Sequence, residues 1–89
     1  MRKTEFKRIV EEGRRLGKCY MVVKVETKDN PGGEIIVNPI ENFDAKLAYY
    51  DQAYNEDMEL IIAKKNGKIV AITDALMSNN LNDLNWFIY

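Results

Sequence analysis

The segment formed by residues 38–60 constrains the fold more than any other part of this chain. Its large apolar side chains recur at i, i+4, i+7 and i+11, which is one face of an α-helix: Phe43, Leu47, Tyr50 and Tyr54. Asn42 precedes this stripe and is predicted to cap the helix, which should run to about residue 55. Because two tyrosines lie on this face, the helix can combine packing with recognition.

The N-terminal third predicts a second amphipathic helix followed by a hairpin. Thr4 is expected to cap this helix and Gly17 to end it in a left-handed conformation. The pattern then changes to period two, with Met21, Val23 and Val25 on one face. Residues 29–33 contain a proline and two glycines, so a five-residue loop should connect this strand to a short one at residues 34–38.

The C-terminal third predicts a second hairpin. Asn66-Gly67 separates two alternating runs, residues 58–65 and 68–73, and this dipeptide favours a two-residue hairpin turn. The remaining residues predict irregular chain that ends in a short helix or strand. The element order α-β-β-α-β-β favours an α+β two-layer sandwich, in which an antiparallel four-stranded sheet carries two helices on one face. The chain, residues 1–89, is expected to form a single domain.

Composition argues against several classes of function. The chain has no histidine, which removes the usual general base and the commonest metal ligand, so neither a catalytic site nor a metal or cofactor site is predicted. Cys19 is the only cysteine, so the chain cannot form an internal disulfide, and a reducing compartment such as the cytoplasm is favoured. Its side chain is expected to be a small buried apolar residue. No apolar run approaches the roughly 20 residues that a membrane-spanning helix needs.

Charge is distributed unevenly along the sequence. Residues 1–18 contain seven basic and three acidic residues, whereas residues 29–59 contain eight acidic residues and one lysine. The polar side of the first helix therefore offers a candidate nucleic-acid-binding stripe, formed by Lys7, Arg8, Arg14 and Arg15. Two glutamates interrupt this stripe, so a solvated helix face is the alternative.

The aromatic residues point to a second kind of surface. They are too many for a small core to hide, and tyrosine and tryptophan are enriched at protein interfaces. The candidate partner-binding residues are Tyr49, Tyr50, Tyr54, Asp51, Glu56, Asp57, Trp86 and Tyr89. The C-terminal aromatic run is expected to pack on its own core, on a second copy of the chain or on another partner. A pocket in which the rings stack on a nucleotide-like ligand is the alternative.

The same central segment resembles short accessory proteins encoded by phages and prophages of low-GC Gram-positive bacteria. The residues that carry the resemblance are Asn38, Pro39, Glu41, Asn42, Phe43, Lys46, Tyr49, Tyr50, Ala53, Tyr54, Asn55 and Leu60. It implies a phage accessory protein that blocks a host protein, such as a component of CRISPR defence, by binding it. Together with the composition, this predicts a non-enzymatic protein in the host cytoplasm without a membrane association. Aromatic anchoring and acidic complementarity to a basic, nucleic-acid-binding partner would then be the mechanism.

Overall fold

A three-stranded antiparallel sheet organises the chain in the computed structural model, which describes residues 1–83. The elements are, in order, α1 (Lys3–Arg15), β1 (Tyr20–Thr27), β2 (Asn30–Pro39), α2 (Phe43–Ala53), α3 (Ile61–Lys65) and β3 (Val70–Ser78). Short 3-10 turns at Ile40–Asn42 and Leu81–Asp83 precede α2 and follow β3. The α+β class predicted from the sequence is therefore observed. No helix in this part of the chain is long and apolar enough to cross a membrane.

The sheet has the strand order β2-β1-β3, with β1 in the centre. In the register Val23 is paired with Ile36 on β2 and with Ala75 on β3, so these three side chains share one face. This inner face is the one that contributes to the apolar core, through Met21, Val23, Val25, Ile72, Ala75 and Met77. The alternation predicted for β1 from its sequence is confirmed.

Helix α1 packs on the β3 side of the inner face. Its buried stripe of Phe6 and Val10 is directed into the core. Its backbone approaches the sheet closely at Gly13, where a Cβ atom would lie 2.3 Å from the Cβ of Met77. Only glycine fits at this position. The helix ends as predicted, with Gly17 in a left-handed conformation (φ 73°).

Helix α2 is held by buried polar groups in addition to apolar packing. Asn38 of β2 is 2% exposed, and its side-chain amide donates to the Met21 carbonyl and to the Tyr50 hydroxyl, both at 3.2 Å. Close to Tyr50, at the C-terminus of the helix, the buried ammonium of Lys3 donates to the carbonyls of Asp51 (2.7 Å) and Tyr54 (2.5 Å). A cation at this point complements the partial negative charge of the helix C-terminus.

The predicted fourth strand is wrong. Residues 58–60 do bond to other segments, since Glu59 and Leu60 form isolated bridges and the Met58 carbonyl accepts the Ile72 amide, but the chain then turns into α3. Asn66-Gly67 ends this helix instead of forming a hairpin turn, since the Gly67 amide donates to the Lys64 carbonyl at 3.1 Å and Gly67 has φ 75°. The same dipeptide suits a helix end and a hairpin turn because both need a left-handed residue.

Several smaller predictions are also corrected. β2 begins at Asn30, since a two-residue turn follows Thr27, and Gly33 (φ 80°) lies in an irregular part of the pairing. β3 continues to Ser78 because β1 pairs with it along its whole length. Asn42 occupies the N-cap position of α2 as predicted, but its side chain makes no capping hydrogen bond. The predicted cap at Thr4 is wrong, because Arg2 is the N-cap residue of α1. Cys19 precedes β1 and is exposed, not buried.

Candidate functional site

An open groove separates α1 from α2 and is the best-defined concave surface in residues 1–83. Its volume is about 390 Å³. The floor is apolar and consists of Phe6, Val10, Leu47, Tyr50 and Met58. The rim carries both signs of charge, with Lys7, Glu11 and Arg14 on α1 and Asp51 on α2. The groove can therefore accept an apolar group and surround it with exchangeable ionic partners.

Three ion pairs join the helices at this groove: one runs from the buried Lys3 Nζ to Asp51 Oδ1 at 3.7 Å, and two join exposed side chains. Lys7 Nζ lies 3.0 Å from Asp51 Oδ1, and Arg14 Nη2 lies 3.2 Å from Asp44 Oδ1. The hydrogen bond and charge of Lys7 lower the pKa of the Asp51 carboxyl. Because all four side chains of these last two pairs are substantially exposed, each pair adds little to the free energy of folding and can be replaced by a partner's charges.

The three tyrosines predicted as partner contacts do come together, but they differ in exposure. Their ring centroids are 5.5 Å (Tyr49–Tyr50), 5.9 Å (Tyr50–Tyr54) and 6.1 Å (Tyr49–Tyr54) apart. Tyr50 and Tyr54 are 2% and 5% exposed and belong to the core, whereas Tyr49 is 47% exposed. Burial raises the pKa of Tyr50, and it raises the pKa of Tyr54 to about 12. Of the three rings, only Tyr49 is available to a partner.

The predicted acidic contacts lie where α2 meets the start of α1. Asp57 pairs with Arg2 at 2.5 Å, and the carbonyl of Glu56 accepts the Lys3 amide at 2.8 Å. Carboxylates are favourable at this position because the N-terminus of a helix carries a partial positive charge. These residues therefore help to position α1, while their exposed oxygens add negative charge to one end of the groove.

The predicted basic stripe on α1 is divided between two directions. Lys7 and Arg14 lie on the groove and pair with α2, whereas Arg15 pairs with Glu12 of its own helix. The hydrogen bond with Glu12 raises the pKa of Arg15. Arg8 is exposed on the side away from α2, where it lines a shallow depression with Arg2, Thr4 and Glu5. Three of the four bases thus have a carboxylate partner.

Sequence reasoning missed two residues that shape this site. Lys3 joins the start of α1 to the end of α2, and nothing local in the sequence indicates that its ammonium reaches carbonyls about 50 positions away. Asn38 could have been found, because it shares the inward-facing period of β2 with Ile36 and a polar residue there needs a buried partner. Trp86 and Tyr89 lie outside the described residues.

No protein-family model, curated protein or solved structure matches this chain. Among residues 1–83, no group of three acidic or cysteine side chains is arranged to hold a metal ion. The groove and the exposed face of α2 are therefore the features from which a function is inferred.

Proposed function

We propose that this protein is a non-enzymatic binding protein of the phage accessory type, which blocks a host protein in the cytoplasm by binding it through the groove between α1 and α2. The observation that carries the proposal is the combination of an apolar floor with a rim of exposed ion pairs. Amphipathic helices commonly dock into hydrophobic grooves of this kind, with a few apolar anchors and flanking charges.

Charge favours a basic partner. On the α2 side of the groove the side chains of Asp44 and Asp51 are 91% and 54% exposed, and Asp57 beyond the helix is 56% exposed. A partner that inserts apolar side chains and carries basic residues beside them would replace Lys7 and Arg14 in the ion pairs. A nucleic-acid-binding component of CRISPR defence would carry basic residues that contact phosphates, so it is the class of partner that we propose.

The small-ligand alternative has one observation in its favour. The groove volume of about 390 Å³ falls within the roughly 300–1,000 Å³ of small-molecule sites, and Lys7 and Arg14 could approach a phosphate. Stacking on Tyr50, the one tyrosine that lines the groove, is disfavoured, however, because this residue is only 2% exposed. Direct binding of nucleic acid by α1 is disfavoured because Glu11 and Glu12 interrupt the basic residues of this helix, and Glu12 pairs with Arg15.

A paired substitution on α2 tests the proposal. Ala48 lines the groove and is exposed, whereas Gln52, one turn later, is exposed but does not line it. In affinity capture from a bacterial lysate, wild type and Gln52→Arg should retain the same protein, and Ala48→Arg should reduce capture at least about tenfold because the added side chain fills the groove. Thermal unfolding of all three proteins controls for folding.

Equal capture by Ala48→Arg would place the binding surface elsewhere, and no specific capture at micromolar concentration would contradict the proposal as a whole. The alternative is tested by thermal-shift measurements with purified nucleotides. A rise of several degrees that Ala48→Arg abolishes would favour the small ligand over the protein partner.

A further inference from the structure

The two edges of the sheet differ in how far other segments of residues 1–83 cover them. At the edge formed by β3, the Leu60 amide donates to the Val70 carbonyl at 2.7 Å, and the Ile72 amide donates to the Met58 carbonyl at 2.9 Å. This edge is therefore partly covered by the segment before α3. At the opposite edge, β2 pairs only with β1 among the residues that the structure describes. One side of β2 thus presents backbone donors and acceptors without a strand partner from this part of the chain.

The middle of β2, residues 34–38, lacks the features that usually protect such an edge, whereas an irregularity in the pairing and Pro31 lie before it and Pro39 follows it. Exposed edge strands commonly carry lysine, an internal proline or inward-pointing charges that discourage pairing with another chain. Residues 32–38 contain no lysine and no proline, and their only charged residue is Glu34. The apolar run of Ile35, Ile36 and Val37 lies in the middle, and Val37 is 37% exposed. The two prolines of β2, Pro31 and Pro39, flank this seven-residue stretch and limit pairing to it.

This stretch is complementary to itself in the antiparallel direction. In a two-fold arrangement centred on Ile36, Ile35 lies opposite Val37 of the second copy, and Glu34 lies opposite Asn38. No charge faces a like charge in this register. The outer face would also become continuous, because Val37 is paired with Val22 and Val22 with Leu76 in the existing sheet. A second β2 would extend this apolar row beyond the edge.

The helical layer offers a matching contact. α2 contacts β2, whereas α1 contacts β3, so α2 lies on the side of the open edge. Ala48 and Asp51 of α2 line the groove facing α1, and at 100° per residue Tyr49 falls on the opposite flank. The half-exposed Tyr49 ring therefore lies on the β2 side of the molecule. A second strand about 4.8 Å from β2 would bring a second α2 alongside and cover this ring.

We propose that the protein forms a two-fold symmetric homodimer, in which β2 pairs antiparallel with β2 of a second copy around Ile36 and each Tyr49 packs against the partner subunit's α2. The two sheets become one continuous six-stranded sheet. Because the groove lies between α1 and α2, away from the open edge, the dimer presents two copies of the groove. The interaction surface is therefore separate from the one proposed for the host partner.

Sedimentation velocity over a range of micromolar concentrations tests this arrangement. Wild type should sediment as a dimer, with twice the 10.3 kDa mass of the chain. Val37→Lys should weaken dimerisation at least tenfold, because it places a charge opposite Ile35 at the new strand pair. Tyr49→Glu should weaken it through the helical layer without touching the strand. Ile62→Lys, an equivalent change at an exposed isoleucine of α3, should leave the dimer intact.

Circular dichroism and thermal unfolding of each variant show whether the monomer remains folded. Hydrogen exchange gives an independent readout, since the outward amides of residues 34–38 should become more protected as concentration rises. A wild-type protein that remains monomeric at every concentration would overturn the proposal. This holds even if β2 then binds an extended segment of a different protein. A dimer that resists Val37→Lys but is lost in Trp86→Ala or in Ile62→Lys would also overturn it.

Discussion

α1 and α2 pack on the same face of one sheet, yet they are attached to it by different means. α1 is positioned by steric fit, because its backbone at Gly13 rests directly on Met77. α2 is positioned by buried hydrogen bonds: Tyr50 is bonded to Asn38 of the sheet, and Lys3 of α1 is bonded to the C-terminal carbonyls of α2. A helix held by shape should tolerate little added volume, whereas a helix held by polar anchors should be sensitive to the loss of a donor or an acceptor.

The largest effect is expected from Gly13→Val. A Cβ at this position would overlap Met77, so α1 must move away from the sheet, and we expect a loss of about 3 kcal/mol in the free energy of unfolding by urea. Gly17→Ala is the matched control, because its φ of 73° is unfavourable but nothing lies within 4 Å. That control should cost only about 1 kcal/mol. A smaller loss for Gly13→Val than for the control would show that α1 is not held by close contact.

Asn38→Leu should have the next largest effect. It removes the donor to the Tyr50 hydroxyl and to the Met21 carbonyl while keeping a similar volume, so we expect a loss of about 2 kcal/mol. Tyr50→Phe leaves the bond to Met21 in place and should cost about 1 kcal/mol. If Asn38→Leu were neutral in urea unfolding, α2 would be held by apolar packing alone and the contrast between the helices would disappear.

Lys3→Met tests the second anchor of α2. The apolar part of the side chain is retained, but the charged donor to two carbonyls is lost, and we expect a destabilisation of about 1.5 kcal/mol. Lys7→Met is the control. It removes a lysine from the same helix, but the ion pair that this lysine forms with Asp51 is exposed, so the loss of stability should be much smaller. Equal effects of the two substitutions would mean that burial of the Lys3 ammonium adds nothing to the attachment.

The smallest effect at neutral pH is expected for Tyr54→Phe, and it should grow in alkaline solution. Burial and the nearby tyrosines raise the pKa of Tyr54 from 10.0 to about 12. Because the pKa of Tyr54 is higher in the folded state than in the unfolded state, its contribution to the free energy of unfolding is complete below pH 10. This contribution is lost as the pH rises toward 12. Urea unfolding of wild type should weaken over this interval, and Tyr54→Phe should reduce that dependence more than Tyr49→Phe does.

Regular, locally encoded features were predictable from the sequence. The stripe of α1, its left-handed end at Gly17 and the alternation of β1 follow from periodicity and glycine chemistry. The fourth strand was not predictable with the same rules, because Asn66-Gly67 is as suitable for ending α3 as for closing a hairpin. Local pattern fixes where a left-handed residue lies but not which element precedes it.

The candidate site was harder to predict because it depends on distances between elements. The tyrosine stripe indicated α2 correctly, but burial of Tyr50 and Tyr54 and exposure of Tyr49 follow from how the helix is rotated over the sheet. The groove exists because the helices are set apart across the sheet, with α1 pressed against β3 and α2 bonded to Asn38 of β2. Neither contact has a signature in a single segment of sequence.

Met58 links the shape of a loop to the filling of the core. Its side chain is fully buried, yet its backbone has φ 57°, a conformation that costs most side chains about 1 kcal/mol or more. Glycine would relax the backbone and leave a void, while valine or isoleucine would fill the void and clash with the backbone. Saturation mutagenesis should therefore find this position among the least permissive in the chain, and evolutionary drift there should require compensating changes at both the turn and the interior.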